Sequence, residues 1–323
     1  MGAMQAQALE MAKWAIGSRL PDSSAKEITG ALNRGEVIRT HILRPTWHFV
    51  ASEDLRWMYA LSYPRLKPVY RSYAKMLGAD ESLLYGYIPL VGELLSGGRH
   101  LSKQEIGEAL AERGLTLDEN HLSMLLSFTE LEGVIVNGEL TGSRQTFTLL
   151  EEWAPRTPEI SHEEAVGRLA RRYFTSHGPA TLQDFAWWSN LTMTDCRQAL
   201  EMIIPDFTRE IINGRECWMC NDIRTPLPGQ DSALLLAPFD EFVVSYKDRT
   251  EMIDGTHYGK VMTKNGIFSP TIMLNGRIIG SWKKTTKKNA PQITLTFFEK
   301  MPKKIVTLFQ PEIERLEKFY AQE

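Results

Sequence analysis

The stretch Arg39-Thr-His-Ile-Leu-Arg-Pro-Thr-Trp-His-Phe-Val50 decides how the first part of this chain folds. It is rich in strand-forming residues, but Pro45 has no backbone N–H with which to join a ladder. The stretch is therefore predicted to break at Pro45 into two short extended pieces. A strand that is buried in a hydrophobic core would not carry so many polar side chains. We therefore expect the polar side chains of this stretch to line one surface. They are Arg39, His41, Arg44, Thr46 and His48.

A second short segment, Met4-Gln-Ala-Gln7, lies upstream and is the predicted partner of this stretch. In an extended backbone, residues i and i+2 point to the same side, so the side chains of Gln5 and Gln7 are predicted to share a face. An amide oxygen accepts hydrogen bonds, and two of them could orient one water molecule or reach a sugar. The alternative is that the two glutamines only cap or bridge the chain locally.

The composition is that of an ordinary folded protein: 323 residues, 43% hydrophobic and 24% charged, which is enough for two or three domains. No apolar run approaches the roughly 20 residues that span a bilayer, and no basic-then-apolar signal begins the chain. A cytoplasmic location without a membrane partner is predicted. Cys217 and Cys220 have the spacing of half a zinc site, but a second pair is missing, so no metal is expected.

Positive charge is concentrated in the last third of the chain, although the net charge is −3. Residues 259–309 contain ten Lys and Arg against a single acid, Glu299. Four of these cations flank a predicted hairpin tip: Lys283, Lys284, Lys287 and Lys288. A nucleic-acid backbone would be attracted to such a patch. A solvated charged loop remains the alternative.

Helix, turn and hairpin signals occur three times in succession, which predicts an α+β fold of tandem winged helix-turn-helix units. Two amphipathic helices precede the Arg39–Val50 stretch, and capped helices followed by two strands recur after Gly97 and again after Ser161. The last part alternates like antiparallel strands, with a strong hairpin signal at Asn275-Gly276, and is predicted to be a small C-terminal β barrel ending in a helix. The expected domains are 1–95 (first unit plus helical linker), 96–158, 159–228 and 229–323.

Six motifs, in the same order along nearly the whole chain, resemble the AlkZ/YcaQ-like winged-helix DNA glycosylases. They are the Arg39 stretch, Asp54-Leu-Arg-Trp57, Ser176-His-Gly-Pro-Ala-Thr181 through Trp188, Phe239-Asp-Glu-Phe242, Tyr246-Lys-Asp-Arg249 and Asn265-Gly-Ile-Phe-Ser-Pro270. The resemblance implies three winged-helix units and a β barrel around a concave surface for double-stranded DNA. It also implies excision of N7-alkylated purines and unhooking of interstrand crosslinks, without a cofactor. We expect a monomer.

The catalytic signature of that family is Gln-x-Gln or Gln-x-Asp, which the resemblance places on Gln5 and Gln7. Members of the family carry some tens of residues before this signature, so the first unit is expected to be incomplete here. We expect the polar side chains of Arg39, His41, Arg44 and Thr46, which line one surface, to contact DNA.

Two amides suit this chemistry because alkylation at N7 makes guanine a cationic leaving group that needs no protonation. The enzyme then mainly has to orient water and stabilise an oxocarbenium-like sugar. His48 is a candidate to assist, although a histidine between Trp47 and Phe49 is more often a structural residue. A catalytically silent DNA-binding or regulatory protein on the same scaffold is the alternative function.

Overall fold

A computed structural model describes residues 1–142, 144–222, 231–287 and 290–321 of the chain. Its strands are β1 (Ala3–Gln5), β2 (Val37–His41), β3 (Trp47–Ala51), β4 (Leu101–Ser102), β5 (Ile135–Thr141), β6 (Arg144–Leu149), β7 (Phe207–Ile212), β8 (Arg215–Cys220), β9 (Ala233–Leu236), β10 (Thr271–Leu274), β11 (Arg277–Lys287) and β12 (Ala290–Phe297). Its helices are α1 (Leu9–Gly17), α2 (Ala25–Asn33), α3 (Leu55–Met76), α4 (Glu81–Leu95), α5 (Lys103–Glu112), α6 (Glu119–Leu131), α7 (Leu150–Trp153), α8 (His162–His177), α9 (Leu182–Ser189), α10 (Met193–Ile203), α11 (Glu241–Val244), α12 (Tyr258–Val261), α13 (Lys303–Thr307) and α14 (Gln310–Ala321). The α+β class is confirmed.

The first sheet has the strand order β1-β3-β2 and is antiparallel throughout. The predicted break at Pro45 is confirmed, because β2 ends at His41 and β3 begins at Trp47. The central strand β3 pairs His48 with Gln5 on one side and with Thr40 on the other. The upstream segment is therefore the strand partner that the sequence predicts.

Two further groups of helices each end in a hairpin. In the second group, α5 and α6 precede the β5–β6 hairpin, to which β4 adds a third strand. In the third group, α8, α9 and α10 precede the β7–β8 hairpin. Capping boxes begin α2, α5 and α9, where Ser or Thr and an acidic residue three positions later satisfy the first free N–H groups.

The C-terminal strands form an antiparallel sheet of order β12-β11-β10-β9. Asn275 and Gly276 both have positive φ, as a two-residue hairpin turn requires, so the predicted turn is confirmed. Within the described residues β9 and β12 remain at the two edges, so this sheet does not close into the predicted barrel. The alternating sequence of residues 234–244 predicts one strand, but β9 ends at Leu236, because Asp240 caps α11 and turns the chain into a helix.

The first helix is embedded in the C-terminal part of the molecule. The indole of Trp14 donates to the Leu235 carbonyl at 2.6 Å, and the ring of Phe319 packs edge-on against Trp14. At Gly17 an added Cβ would lie 2.3 Å from Phe319, so only glycine permits this approach of α14. The two ends of the chain therefore share one hydrophobic core.

Among the described residues, no helix combines the length and the apolar character needed to cross a membrane.

Candidate active site

The last residue of β1, Gln5, lies directly opposite His48 in the antiparallel pair. Directly opposed residues project from the same face of a sheet, so Gln5, His48 and Thr40 share one face. Gln5 is buried, with 6% of its surface exposed, and His48 is fully buried. Strand pairing thus brings together two of the three predicted catalytic residues.

Gln7 lies in the same region, but it does not share a strand face with Gln5 as predicted. The strand ends at Gln5, and Gln7 lies in the bend before α1, so the i, i+2 alternation does not extend to it. Its Oε1 accepts a hydrogen bond from the Trp47 N–H at 3.0 Å. The Oε1 of Gln5 accepts from Arg44 Nη2 at 3.3 Å. Gln5 therefore contacts the turn between β2 and β3, and Gln7 contacts the first residue of β3.

The side chain of Arg39 binds the backbone of the segment that carries Gln5 and Gln7. Its Nε donates to the Ala6 carbonyl at 2.9 Å and its Nη2 to the Gln7 carbonyl at 3.4 Å. The guanidinium also lies over the Trp47 ring, 4.2 Å from its centroid, and only 7% of the residue is exposed. Burial lowers the pKa of Arg39 to about 10, so it remains charged at neutral pH. The structure directs this side chain towards the glutamine backbone, and its contact with DNA stays a prediction.

His48 is held as a neutral imidazole of defined tautomer. Its Nδ1 lies 2.8 Å from the Thr46 carbonyl, which can only accept, so Nδ1 carries the proton and Nε2 a free lone pair. Burial and the charge of Arg44 lower the pKa of His48 to about 3. Nε2 is buried without a hydrogen-bond partner in the described part of the chain.

Two more buried polar atoms beside His48 lack protein partners in the described ranges: Arg44 Nε and Thr46 Oγ1. Unpaired buried polar atoms are costly and are normally satisfied by water or a ligand. The three atoms are an acceptor, a donor and a hydroxyl that can act as either, and each is left able to bind water.

A buried carboxylate that the sequence reasoning missed completes the region. Glu241, at the start of α11, accepts the Gln5 backbone N–H at 2.5 Å through Oε1. Its Oε2 accepts from Trp188 Nε1 at 2.8 Å and from the Ser245 hydroxyl, and lies 3.7 Å from His177 Nε2. Burial alone would raise the pKa of Glu241, but the interactions with His177 and the charge of Arg44 outweigh burial and lower the pKa to about 2. The carboxylate is ionised at neutral pH.

The signal that could have located Glu241 is the Asp240-Glu241 pair itself. Interpreted as a strand, the pair points to opposite faces. Asp is also a preferred helix N-cap, and here Asp240 accepts the Phe242 N–H at 2.9 Å while pairing with Arg19. Both acids are consequently buried. We call Gln5, Gln7, Arg44, Thr46, His48 and Glu241 the buried Gln5 site.

The remaining predicted DNA contacts lie elsewhere. His41 is half-buried, with Nδ1 2.7 Å from Glu130 Oε2 and its ring against Trp47, tilted by 38° from the plane of the indole. Lys283 and Lys287 are exposed on β11, and Lys284 lies between them with its ammonium over the Tyr320 ring. Lys288 lies outside the described residues. We call Lys283, Lys284 and Lys287 the basic strand.

The described residues contain no group of three or more His, Cys, Asp or Glu side chains that could hold a metal ion.

Comparison with known proteins relates this chain to one family. The family model of DNA glycosylase AlkZ-like proteins matches residues 1–319. The interstrand DNA cross-link repair glycosylase of Streptomyces sahachiroi is 25% identical over 163 residues, which span 47% of this chain and 43% of that relative. The solved structure of Streptomyces sahachiroi DNA glycosylase AlkZ is similar in fold, with a TM-score of 0.77 at 20% identity over 98% of this chain and 88% of that one. This chain belongs to the AlkZ-like family of DNA glycosylases.

Proposed function

We propose that this chain is a monofunctional DNA glycosylase that hydrolyses the N-glycosidic bond of cationic N7-alkylpurines in double-stranded DNA. The observation that supports this best is the neutral His48, whose bare Nε2 lies on the same sheet face as Gln5. Family membership supports the reaction class. The name of the Streptomyces relative suggests that interstrand crosslinks are a further substrate, which we include in the proposal.

The proposed reaction needs little acid or base strength. The bond between C1′ and N9 breaks, its electrons neutralise the alkylated purine, and an oxocarbenium-like sugar remains. Water then bonds to C1′ and loses a proton, which passes through an acceptor to solvent. His48 Nε2 is too weak a base to activate water strongly, but it can orient one hydrogen of the water, while the amide oxygens of Gln5 and Gln7 face the positive sugar.

We further propose that the three groups of helices and hairpins act as tandem winged helices around the duplex. The repeated order of elements supports this arrangement. The exposed lysines of the basic strand would then contact phosphates, and Arg39, His41, Arg44 and Thr46 would present the Gln5 segment towards DNA. No cofactor enters the proposed reaction, and one chain is enough to perform it.

One observation favours the second candidate, a catalytically silent DNA-binding protein. The side-chain oxygens of Gln5 and Gln7 already accept hydrogen bonds from Arg44 and Trp47. An amide oxygen has two lone pairs, so each of these oxygens can accept one more hydrogen bond, as the proposed reaction requires. A catalytically silent protein would not require this second hydrogen bond.

The deciding experiment measures base release under single-turnover conditions from two duplexes. One contains 7-methylguanine and the other uracil, which is a neutral leaving group. The glycosylase proposal expects release of 7-methylguanine and at least about a hundredfold slower release of uracil, because none of the proposed groups protonates a poor leaving base. DNA binding without release of either base would support the silent protein.

A further inference from the structure

We propose that Glu241 is a positioning residue of the Gln5 site, which fixes the glutamine segment by binding its backbone from the C-terminal part of the chain. The expected effect of Glu241 on the reaction rate rests on the proposed glycosylase function, whereas its contacts with the Gln5 segment do not. Glu241 contributes no atom to the proposed reaction and acts through Gln5.

The first argument comes from the position of β1 at the edge of its sheet. The order β1-β3-β2 leaves one side of β1 without a strand neighbour, and alternate N–H groups of an edge strand point to that side. The Ala6 N–H points inward and donates to the Trp47 carbonyl, whereas the Gln5 N–H points outward and donates to Glu241. The carboxylate of Glu241 therefore accepts the N–H that a neighbouring strand would otherwise bind, and it does so at Gln5, a proposed catalytic residue.

The second argument is the number of separate segments that one side chain joins. Glu241 lies 236 positions after Gln5 in the chain, and its other oxygen is held by Trp188 of α9 and by Ser245 after α11. Only 1% of Glu241 is exposed, so its bonds do not compete with solvent. Trp188 and Ser245 fix the carboxylate, and the carboxylate in turn fixes Gln5.

The third argument is chemical. A carboxylate has acceptor sites on both oxygens, whereas glutamine has one acceptor and one donor group. At position 241 a glutamine leaves either the Gln5 N–H or the Trp188 N–H facing another donor. Because misplacement of a reacting group by about 1 Å costs up to about a hundredfold in rate, loosening of Gln5 is expected to slow the chemical step.

The test compares Glu241→Gln with Asp184→Asn as a matched control. Asp184 is also a buried carboxylate that joins distant segments, because it accepts the Lys247 N–H at 2.8 Å and the Thr181 N–H at 2.9 Å. Within the described ranges Asp184 makes no hydrogen bond to the Gln5 segment, so the Asp184→Asn variant measures the cost of losing a buried carboxylate alone.

Two readouts are measured on each variant: single-turnover release of 7-methylguanine and hydrogen exchange of the peptide covering residues 1–8. We expect Glu241→Gln to lose on the order of tenfold in rate and to exchange faster in this peptide, while Asp184→Asn does neither. In a Gln5→Ala background the Glu241→Gln change should cost less than about twofold more, because the residue it positions is gone.

The proposal is overturned if Glu241→Gln exchanges and reacts like the wild type, if both carboxylate variants lose rate equally, or if the double variant shows additive losses. Should Glu241→Gln fail to fold, Ser245→Ala removes one bond that holds the carboxylate and must speed exchange in the same peptide. Should the wild type release no base, the proposed function fails, and hydrogen exchange alone decides whether Glu241 holds Gln5.

Discussion

The buried Gln5 site and the basic strand hold their charges in opposite ways. In the first, Glu241 and His48 are removed from solvent, Arg44 is partly buried, and all three are held by directed bonds. In the second, Lys283 and Lys287 project into solvent from a long hairpin. Buried charges keep fixed directions and act at short range, whereas exposed charges are mobile and screened by salt. In the proposed function, the first region therefore acts on a single sugar, and the second attracts any duplex.

The largest effect is expected from the glutamines. Gln7→Ala, and to a lesser degree Gln5→Ala, should lower single-turnover release of 7-methylguanine on the order of tenfold or more, about 1.4 kcal/mol of transition-state stabilisation. Duplex affinity should change little, because the phosphate contacts are assigned elsewhere. Gln145→Ala, which removes a partner of Arg39 on β6, is a control for indirect loosening. Equal losses in Gln7→Ala and Gln145→Ala would assign the effect to packing.

The pH dependence of stability tests the burial of His48. The ordinary pKa of histidine is about 6.5, so below this pH the unfolded chain takes up a proton that the folded chain, with a pKa near 3, does not. The free energy of unfolding should therefore fall as the pH drops from about 6.5 to 5, with a slope of up to about 1.4 kcal/mol per pH unit from this residue. Urea unfolding of His48→Gln between about pH 5 and 6.5 should show a shallower slope than that of the wild type.

The salt dependence of binding tests the basic strand. Changing Lys283, Lys284, Lys287 and Lys288 to Ala should reduce the slope of log affinity against log salt by up to about 3 to 4 units if all four contact phosphates. The exposed pair Lys283 and Lys287 alone should account for about 2 units. Lys75→Ala at the end of α3 removes one charge elsewhere as a control. An unchanged slope in the fourfold variant would exclude the basic strand from the interface.

The smallest effect is expected in the pH profile of the reaction. Because the pKa of His48 is about 3, the ring stays neutral between pH 5 and 8, and the single-turnover rate should change by less than about twofold across this range. A rate that decreases as the pH is lowered through about 6.5 in the wild type, but not in His48→Asn, would contradict this. It would show that His48 takes up a proton in the DNA complex and acts as a stronger base than proposed.

Local signals in the sequence predicted much of this fold. Pro45 separated β2 from β3, Asn275-Gly276 formed a hairpin turn, and capping residues marked several helices correctly. The boundary missed within 55–76 has a physical reason. The sequence predicts one helix that ends at Leu61 and a second that begins at Pro64, but α3 runs through Pro64 as a single helix and packs against α6 and α8.

The candidate site could be predicted only in part. Pairing of Gln5 with His48 follows from two strands that are close in sequence. The contact with Glu241 joins residues 236 positions apart and depends on how the C-terminal part packs on the first sheet, which no local pattern encodes. The separation of Gln7 from the strand depends on where α1 begins. Long-range packing, rather than residue type, sets these features.

The most direct test of the division between the two regions measures the Gln7→Ala variant and the Lys283→Ala/Lys287→Ala variant side by side. Duplex affinity and the single-turnover rate of 7-methylguanine release at saturating protein are determined for each. The account predicts a slow rate with unchanged affinity for Gln7→Ala, and a normal rate with weakened, less salt-dependent binding for the lysine variant. A wild-type rate in Gln7→Ala, or a slow chemical step in the lysine variant at saturation, would contradict it.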